Sequence, residues 1–216
     1  VLHRAVTDGM APWHLATVVS ERQRGIWWPE GAPDTAHVVH NGIDLAQWAE
    51  GGAGDGSAVW AGRITPTKGT HLAAEAAQRA GVPLTIYGVI EHRDYFQDEV
   101  QPHLHGEVRY GGHLTTAELR RAYGRASVAL FTPQWEEPFG LAAVEAMATG
   151  LPVAATPHGA VAEVLGEAGV IANADTGEAL AEALRQALEI APHLPRERVA
   201  RLFDARQMVT RFEDLY

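Results

Sequence analysis

An α/β fold on a doubly wound, mostly parallel sheet is what this sequence predicts, and two observations carry the prediction. From Ala58 onward short apolar runs alternate with helical patterns, the order that winds helices onto both faces of a parallel sheet. The helical patterns also stop where glycine and proline punctuate them, at Gly81 with Pro83 and at Gly150 with Pro152. In chain order "AVWAG" (58–62), "PLTIYG" (83–88), "VRYGG" (108–112), "VALFT" (128–132), "PVAAT" (152–156) and "GVIA" (169–172) read as buried strands. Helices are expected at 71–81, 115–126, 159–165 and 176–191, and within "EEPFGLAAVEAMATGLP" (136–152). Thr115 with Glu118 has capping-box spacing, and Asp175 with Glu178 is expected to act similarly. Such sheets bind ligands at the carboxyl ends of their strands, so the loops after 62, 87, 112 and 132 matter most.

Residues 1–44 fit the alternation less cleanly. "ATVVSERQR" reads as a strand followed by a helix, and "AHVVHNGID" as a short strand with a turn. The segment 45–57, which contains the Gly-rich "EGGAGDGS" (50–57), is expected to be a linker. The opening "VLHRAVTDGM" lacks the features of a signal peptide and does not begin with methionine, so the chain reads as a piece of a longer one.

Bulk composition narrows the function. A formal charge of −10 argues against a general nucleic-acid or membrane-surface binder, while leaving room for an anionic ligand in a locally positive pocket. No apolar run approaches the roughly 20 residues needed to cross a bilayer. The absence of cysteine excludes disulfides and thiolate metal sites and fits a cytoplasmic protein. Eleven histidines are scattered without ligand spacing, and no Asp-x-Asp pair occurs, so no metal site is expected. His158 in "TPHGA" and Trp135 read most simply as an ordinary loop histidine and a packing residue.

Two constellations carry chemistry. Leu141, Val144, Glu145 and Ala148 share a helical face, and Glu145 is the only polar residue from Leu141 to Ala148. A buried carboxylate needs a partner or a ligand. Pro138 suits a first helical turn, which leaves the amides of Phe139, Gly140 and Leu141 as donors for an anion. The bland alternative satisfies Glu145 inside the fold and leaves Glu137 a solvated charge. The second constellation is "AGRITPTKG" (61–69), where a strand ends at Gly62 and the turn carries Arg63 and Lys68. Both cations then lie at the sheet's carboxyl edge, where a diphosphate would sit. Its alternative is two solvated loop cations. Neither the Walker A order nor the dinucleotide G-x-G-x-x-G is present, which disfavours a nicotinamide-dependent dehydrogenase.

Taken together and in this order, these motifs resemble those of the retaining GT-B glycosyltransferases, specifically glycosyltransferase family four. The resemblance runs from "VVHNGIDLAQW" (38–48) to the end of the chain. It rests on the E-x7-E pattern Glu137–Glu145, on "GRITPTKG" as the phosphate loop, and on "GLPVAATPHGAVAEVL". It implies the Rossmann-like C-terminal half of a GT-B fold, with residues 58–203 forming the donor domain. Residues 1–44 would be the tail end of the N-terminal, acceptor-binding domain with the crossover at "HNGID" (40–44), and 204–216 a helix crossing back to it.

By the same resemblance, Arg63 and Lys68 neutralise the diphosphate of a UDP, GDP or ADP sugar. Glu145 accepts from the ribose hydroxyls, Glu137 orients the transferred sugar, and the amides of Phe139, Gly140 and Leu141 hold sugar or phosphate oxygens. Gly62 ends the phosphate-loop strand, and the loops at Gly88 and at Gly112–His113–Leu114 hold the base, mostly through backbone. If helical throughout, the eight-residue step from Glu137 to Glu145 would span about 12 Å. The implied reaction is metal-independent transfer with retention, with no cofactor. The acceptor (sugar, lipid or small molecule) would bind the missing domain, so this chain is expected to bind donor without transferring sugar. Trp27, Trp28 and Phe212, exposed without that domain, are expected as dimerisation surfaces. A nucleotide-sugar epimerase of the same fold and a non-catalytic nucleotide-binding module are the alternatives.

Overall fold

The computed structural model describes residues 15–49 and 51–216. The signal-peptide reading of the first ten residues, and the part of segment 1–44 before Leu15, lie outside the described residues. Six parallel strands form the main sheet: β3 (Ala58–Ala61), β4 (Leu84–Tyr87), β5 (Val108–Tyr110), β6 (Val128–Phe131), β7 (Val153–Ala155) and β8 (Gly169–Ile171). Their order is β5-β4-β3-β6-β7-β8, and every pairing is parallel. The chain thus moves outward from β3 to β5, then restarts on the other side of β3 with β6. That reversal opens a crevice at the carboxyl ends of β3 and β6.

Strand alternation divides the core in two. Val59, Ala129, Phe131, Val153 and Ala155 face one apolar cluster with α4 (Leu141–Ala148), α5 (Val161–Leu165) and α7 (His193–Leu202). Ala58, Trp60, Leu84, Ile86, Val128 and Leu130 face the other, against α2 (Thr70–Ala80) and α6 (Gly177–Ala187). Val144 and Met147 of α4 are fully buried, and each contributes about 1.5–3 kcal/mol by leaving water.

Punctuation worked much as the sequence suggests. Gly81 (φ 71°) ends α2, and Gly150 (φ 92°) follows the end of α4. Leu151 N–H bonds to Ala146 C=O and Gly150 N–H to Met147 C=O, which closes the orphan carbonyls of that helix. Arg196 of α7 donates to Ala148 and Trp48 carbonyls, adding a cation at the same helix end. Thr115 and Glu118 form the capping box of α3 (Thr116–Tyr123). The cap expected from Asp175 is made instead by Thr176, whose hydroxyl accepts from Ala179 N–H, because α6 starts one residue later. Asp175 is taken by His158, 2.6 Å away.

The N-terminal elements are a parallel pair, β1 (Ala16–Val18) and β2 (Ala36–Val38), joined through α1 (Glu21–Trp27). They are tied to the main body. Ser20 caps α1 and donates to Pro138 C=O at 2.7 Å. The Glu163 carboxylate of α5 accepts from the N–H groups of Glu21 and Arg22 and pairs with His40 at 2.7 Å. α8 (Ala205–Glu213) lies along this segment, bridged through Ile43 and Asp204.

The stretch 45–57 does not hang free. Trp48 is buried in the core, and the N–H groups of Gly51 and Gly52 bond to Thr149 and Gly124 carbonyls. Gly51 approaches so closely that a Cβ there would lie 2.8 Å from Gly124 Cα. Trp27, Trp28 and Phe212 are half-buried rather than exposed. The apolar side chains that do stand out include Trp135, Leu141 and Val209.

Candidate functional site

At the carboxyl ends of β3, β4 and β5 lies a cavity of about 250 Å³. Gly62 and Arg63 line it from the loop after β3, Gly88 from that after β4, and His113 and Leu114 from that after β5. α4 contributes Glu145, and α3 contributes Leu119 and Tyr123. Eight residues from five separate stretches of the sequence therefore meet around one space. Gly88 is where backbones nearly touch: at φ 151°, an added Cβ would lie 1.7 Å from Gly62 C=O. Its N–H donates to Gly112 C=O and its C=O accepts from Tyr110 Oη, which fixes the cavity floor.

Glu145 is the odd group in that cavity. Burial pushes its carboxyl up to about 7, offset only by the field of Arg120, and it has no hydrogen-bond partner among the described residues. Arg120 is itself engaged with Gln47 and stacked over Trp48. The same carboxylate helps raise the phenol of the fully buried Tyr123, whose main cause is again burial. An acid held short of partners beside an open space is poised to accept from a ligand's hydroxyls.

Lys68 and Glu137 stand outside that lining and form a second cluster. Lys68 Nζ lies 2.6 Å from Glu137 Oε2, with side chains 22% and 11% exposed. Trp135 Nε1 donates to the same oxygen at 2.9 Å, and Lys68 Nζ sits 5.3 Å from the indole centroid. The cluster is tied down from below. Trp60 Nε1 donates to Thr132 Oγ1, Thr132 donates to Lys68 C=O, and Gln134 N–H donates to Thr67 C=O. Gly69 (φ 60°) lets the phosphate-type loop press on Thr132, where a Cβ would come within 2.3 Å of its carbonyl. Ala160 N–H holds Glu137 C=O, over a Gly159 whose Cβ would lie 2.2 Å from that oxygen.

Several sequence expectations change here. Glu137 is not a solvated charge; it is 9% exposed and paired. Pro138 does not open the helix, because Gly140 at φ 98° turns the chain first and α4 starts at Leu141. The Glu137–Glu145 stretch is therefore helical only in its second half, and the 12 Å spacing does not apply. Phe139 points its ring into the core against His40 and Phe203. The N–H groups of Phe139, Gly140 and Leu141 have no partner among the described residues. Leu141 is 48% exposed, so the face it shares with Val144 runs from solvent into the core. Arg63, 67% exposed, pairs with Glu91 at 3.2 Å, a solvated contact of little strength. Trp135 is not packed under the loop but 42% exposed at the cluster. Sequence reasoning missed Tyr123 and the holding role of Gly159; only the aromatic at the end of "LRRAY" hinted at the first.

No group of three or more potential metal ligands occurs among the described residues, and none of their helices is long and apolar enough to cross a membrane.

Comparison with known proteins agrees with this architecture. The family described as "Glycosyl transferases group 1" matches residues 53–201. Glycogen synthase of Mycobacterium tuberculosis is 34% identical over 164 residues, covering 70% of this chain and 39% of that protein. O-antigen chain mannosyltransferase B of Escherichia coli is 29% identical over 149 residues, covering 63% of this chain and 38% of that one. The chain thus spans less than half the length of these relatives. Among solved structures, AviGT4, a glycosyltransferase involved in avilamycin A biosynthesis, superposes with a TM-score of 0.80 at 24% identity, over 92% of this chain and 62% of AviGT4. Anabaena HepE in complex with UDP and glucose gives 0.78 at 19% identity, over 93% and 62%. The fold is the Rossmann-like C-terminal half of a GT-B enzyme, and the chain belongs to the group 1 glycosyl transferases.

Proposed function

We propose that this chain is the donor-binding half of a metal-independent, retaining glycosyltransferase that uses a nucleotide-diphosphate sugar. The observation that carries the reading is Glu145: a carboxylate raised by burial, partnerless, and lining a cavity at the carboxyl ends of β3, β4 and β5. Ribose hydroxyls are the ligand that answers it. The base would then lie against the backbone of Gly88 and of Gly112–Leu114, between strand ends too tightly spaced for side chains. Arg63 and Lys68 would take the diphosphate, together with the free amides of Phe139, Gly140 and Leu141 at the start of α4. Glu137 would orient the transferred sugar. As the bond between the anomeric carbon and the diphosphate breaks, negative charge gathers on the leaving phosphate. Two cations and a helix N-terminus would stabilise it, the work a metal ion does at other sites. That a structural neighbour was solved with UDP and glucose supports a donor of this class.

In this reading residues 58–203 are the donor domain, 45–57 the linker into it, and 204–216 the return to an acceptor domain of which 1–44 are the tail end and crossover. The acceptor, a sugar, lipid or small molecule, would be held by that other domain, and the enzyme would work in the cytoplasm. Saturation-transfer NMR of the chain with UDP-, GDP- and ADP-glucose tests the donor site. Saturation of both ribose and glucose protons of one conjugate is expected. A transfer assay with the same conjugates is expected to give no product from this chain alone; turnover would refute the division into halves.

A further inference from the structure

We infer that Trp135 is a positioning residue of the sugar end of this site, and the inference rests on the donor reading above. Lys68 is asked for two incompatible things: it must neutralise a diphosphate, yet in the structure it is drawn to Glu137 at 2.6 Å. Both bonds that Glu137 receives fall on one oxygen, Oε2, from Lys68 Nζ and from Trp135 Nε1 at 2.9 Å. The other oxygen, Oε1, takes no hydrogen bond among the described residues. The indole N–H therefore does what Lys68 cannot do once it turns toward phosphate. It keeps Oε2 occupied and the carboxylate aimed, so that Oε1 stays available to a sugar hydroxyl.

The ring has a second part in the same arrangement. With Nζ 5.3 Å from its centroid, it offers the ammonium a cation–π contact that survives a small swing away from Glu137. Packing does not account for the residue, since it is 42% exposed while Phe139, four positions on, is 2% exposed. The adjacent Glu136 is engaged elsewhere, with Arg22 of α1 at 2.8 Å, so it offers no substitute for Glu137. Trp135 thus serves recognition of the sugar rather than of the nucleotide.

Trp135→Phe keeps the ring and removes the N–H, which separates the two parts. The test is calorimetric titration of the chain with UDP, GDP, ADP and the glucose conjugate of each. For the nucleotide that binds, Trp135→Phe is expected to lower affinity for the conjugate about tenfold, the scale of one hydrogen bond to a charged group. Affinity for the free diphosphate is expected to change less than about twofold. Equal losses for both ligands, or none for either, would overturn the inference. A chain that binds none of these ligands would instead fail the donor reading. The clamp is then decided without ligand, by the indole N–H resonance that disappears in Trp135→Phe. That resonance is expected to move in Glu137→Gln, and its failure to move would overturn the clamp.

Discussion

Replacing Glu145 by glutamine should make the protein more stable and its ligand site worse. Burial holds this carboxyl near 7 in the folded chain, against an ordinary value of 4.5. Between those two values the folded state holds a proton that the unfolded state has released. The stability associated with the neutral acid is therefore fully present below about pH 4.5 and is lost as pH rises through about 7. At 1.36 kcal/mol per pH unit the full window corresponds to about 3 kcal/mol. Partial contact with solvent trims this to about 2 kcal/mol. Glutamine carries no charge, so Glu145→Gln should be more stable than the parent by about 2 kcal/mol at pH 8, a rise in Tm of about 4–8 °C for a chain of this size. The gain should vanish below pH 5. Urea melts of both proteins from pH 4.5 to 8 read this directly. Equal stability at pH 8, or a less stable variant, would show that the fold satisfies the carboxylate internally. A donor whose hydroxyls bond to the carboxylate would pull its pKa back down, so parent affinity should rise with pH from 6 to 8. In the variant it should be weaker and flat.

Three further outcomes follow from the geometry. Lys68→Ala strands a buried Glu137 with the indole as its remaining donor, which should cost about 3 kcal/mol in a urea melt and abolish detectable diphosphate binding. An unchanged melt would mean that the pair is solvated in solution. Gly159→Ala, at φ 65° with a Cβ 2.2 Å from Glu137 C=O, should lower Tm by several degrees and weaken binding of the sugar conjugate. Wild-type behaviour would show that Glu137 is not held through this contact. Ser20→Ala removes the cap of α1 and its bond to Pro138, so amide exchange in α1 should speed up while α4 stays protected.

The sheet was legible because its strands are short, mostly apolar runs bounded by glycine or proline. They are buried at its centre, as a parallel sheet covered on both faces requires, with β5 (Val108–Tyr110, carrying the exposed Arg109) and β8 at its edges. The cavity side of the site was legible for the same reason. Once β3, β4 and β5 are placed, Gly62, Gly88, His113 and Leu114 fall at their carboxyl ends. What could not be read were the backbone turns that override local pattern. Pro138 looks like a helix start, but Gly140 at φ 98° reverses the chain two residues later. Asp175 looks like a cap until His158, seventeen positions away, claims it. The Gly-rich stretch around 50–57 reads as a linker by composition. Gly51 and Gly54 are required there because Gly124 and Ser127 come within 3 Å of where a Cβ would be, and Gly56 because its φ is 83°. The Lys68–Glu137–Trp135 cluster depends on Thr132 and Gly69 joining two loops, a contact between positions more than sixty residues apart.

The central claim is that one diphosphate nucleotide spans this site, its ribose on Glu145 and its phosphates on Lys68. Calorimetric titration of the purified chain with UDP, GDP and ADP in the presence of a chelator tests it most directly, repeated with Glu145→Ala and Lys68→Ala. The account predicts that one nucleotide binds without metal and that both variants weaken it at least tenfold. A folded chain that binds none of the three, or binds one indifferently to both substitutions, would contradict it.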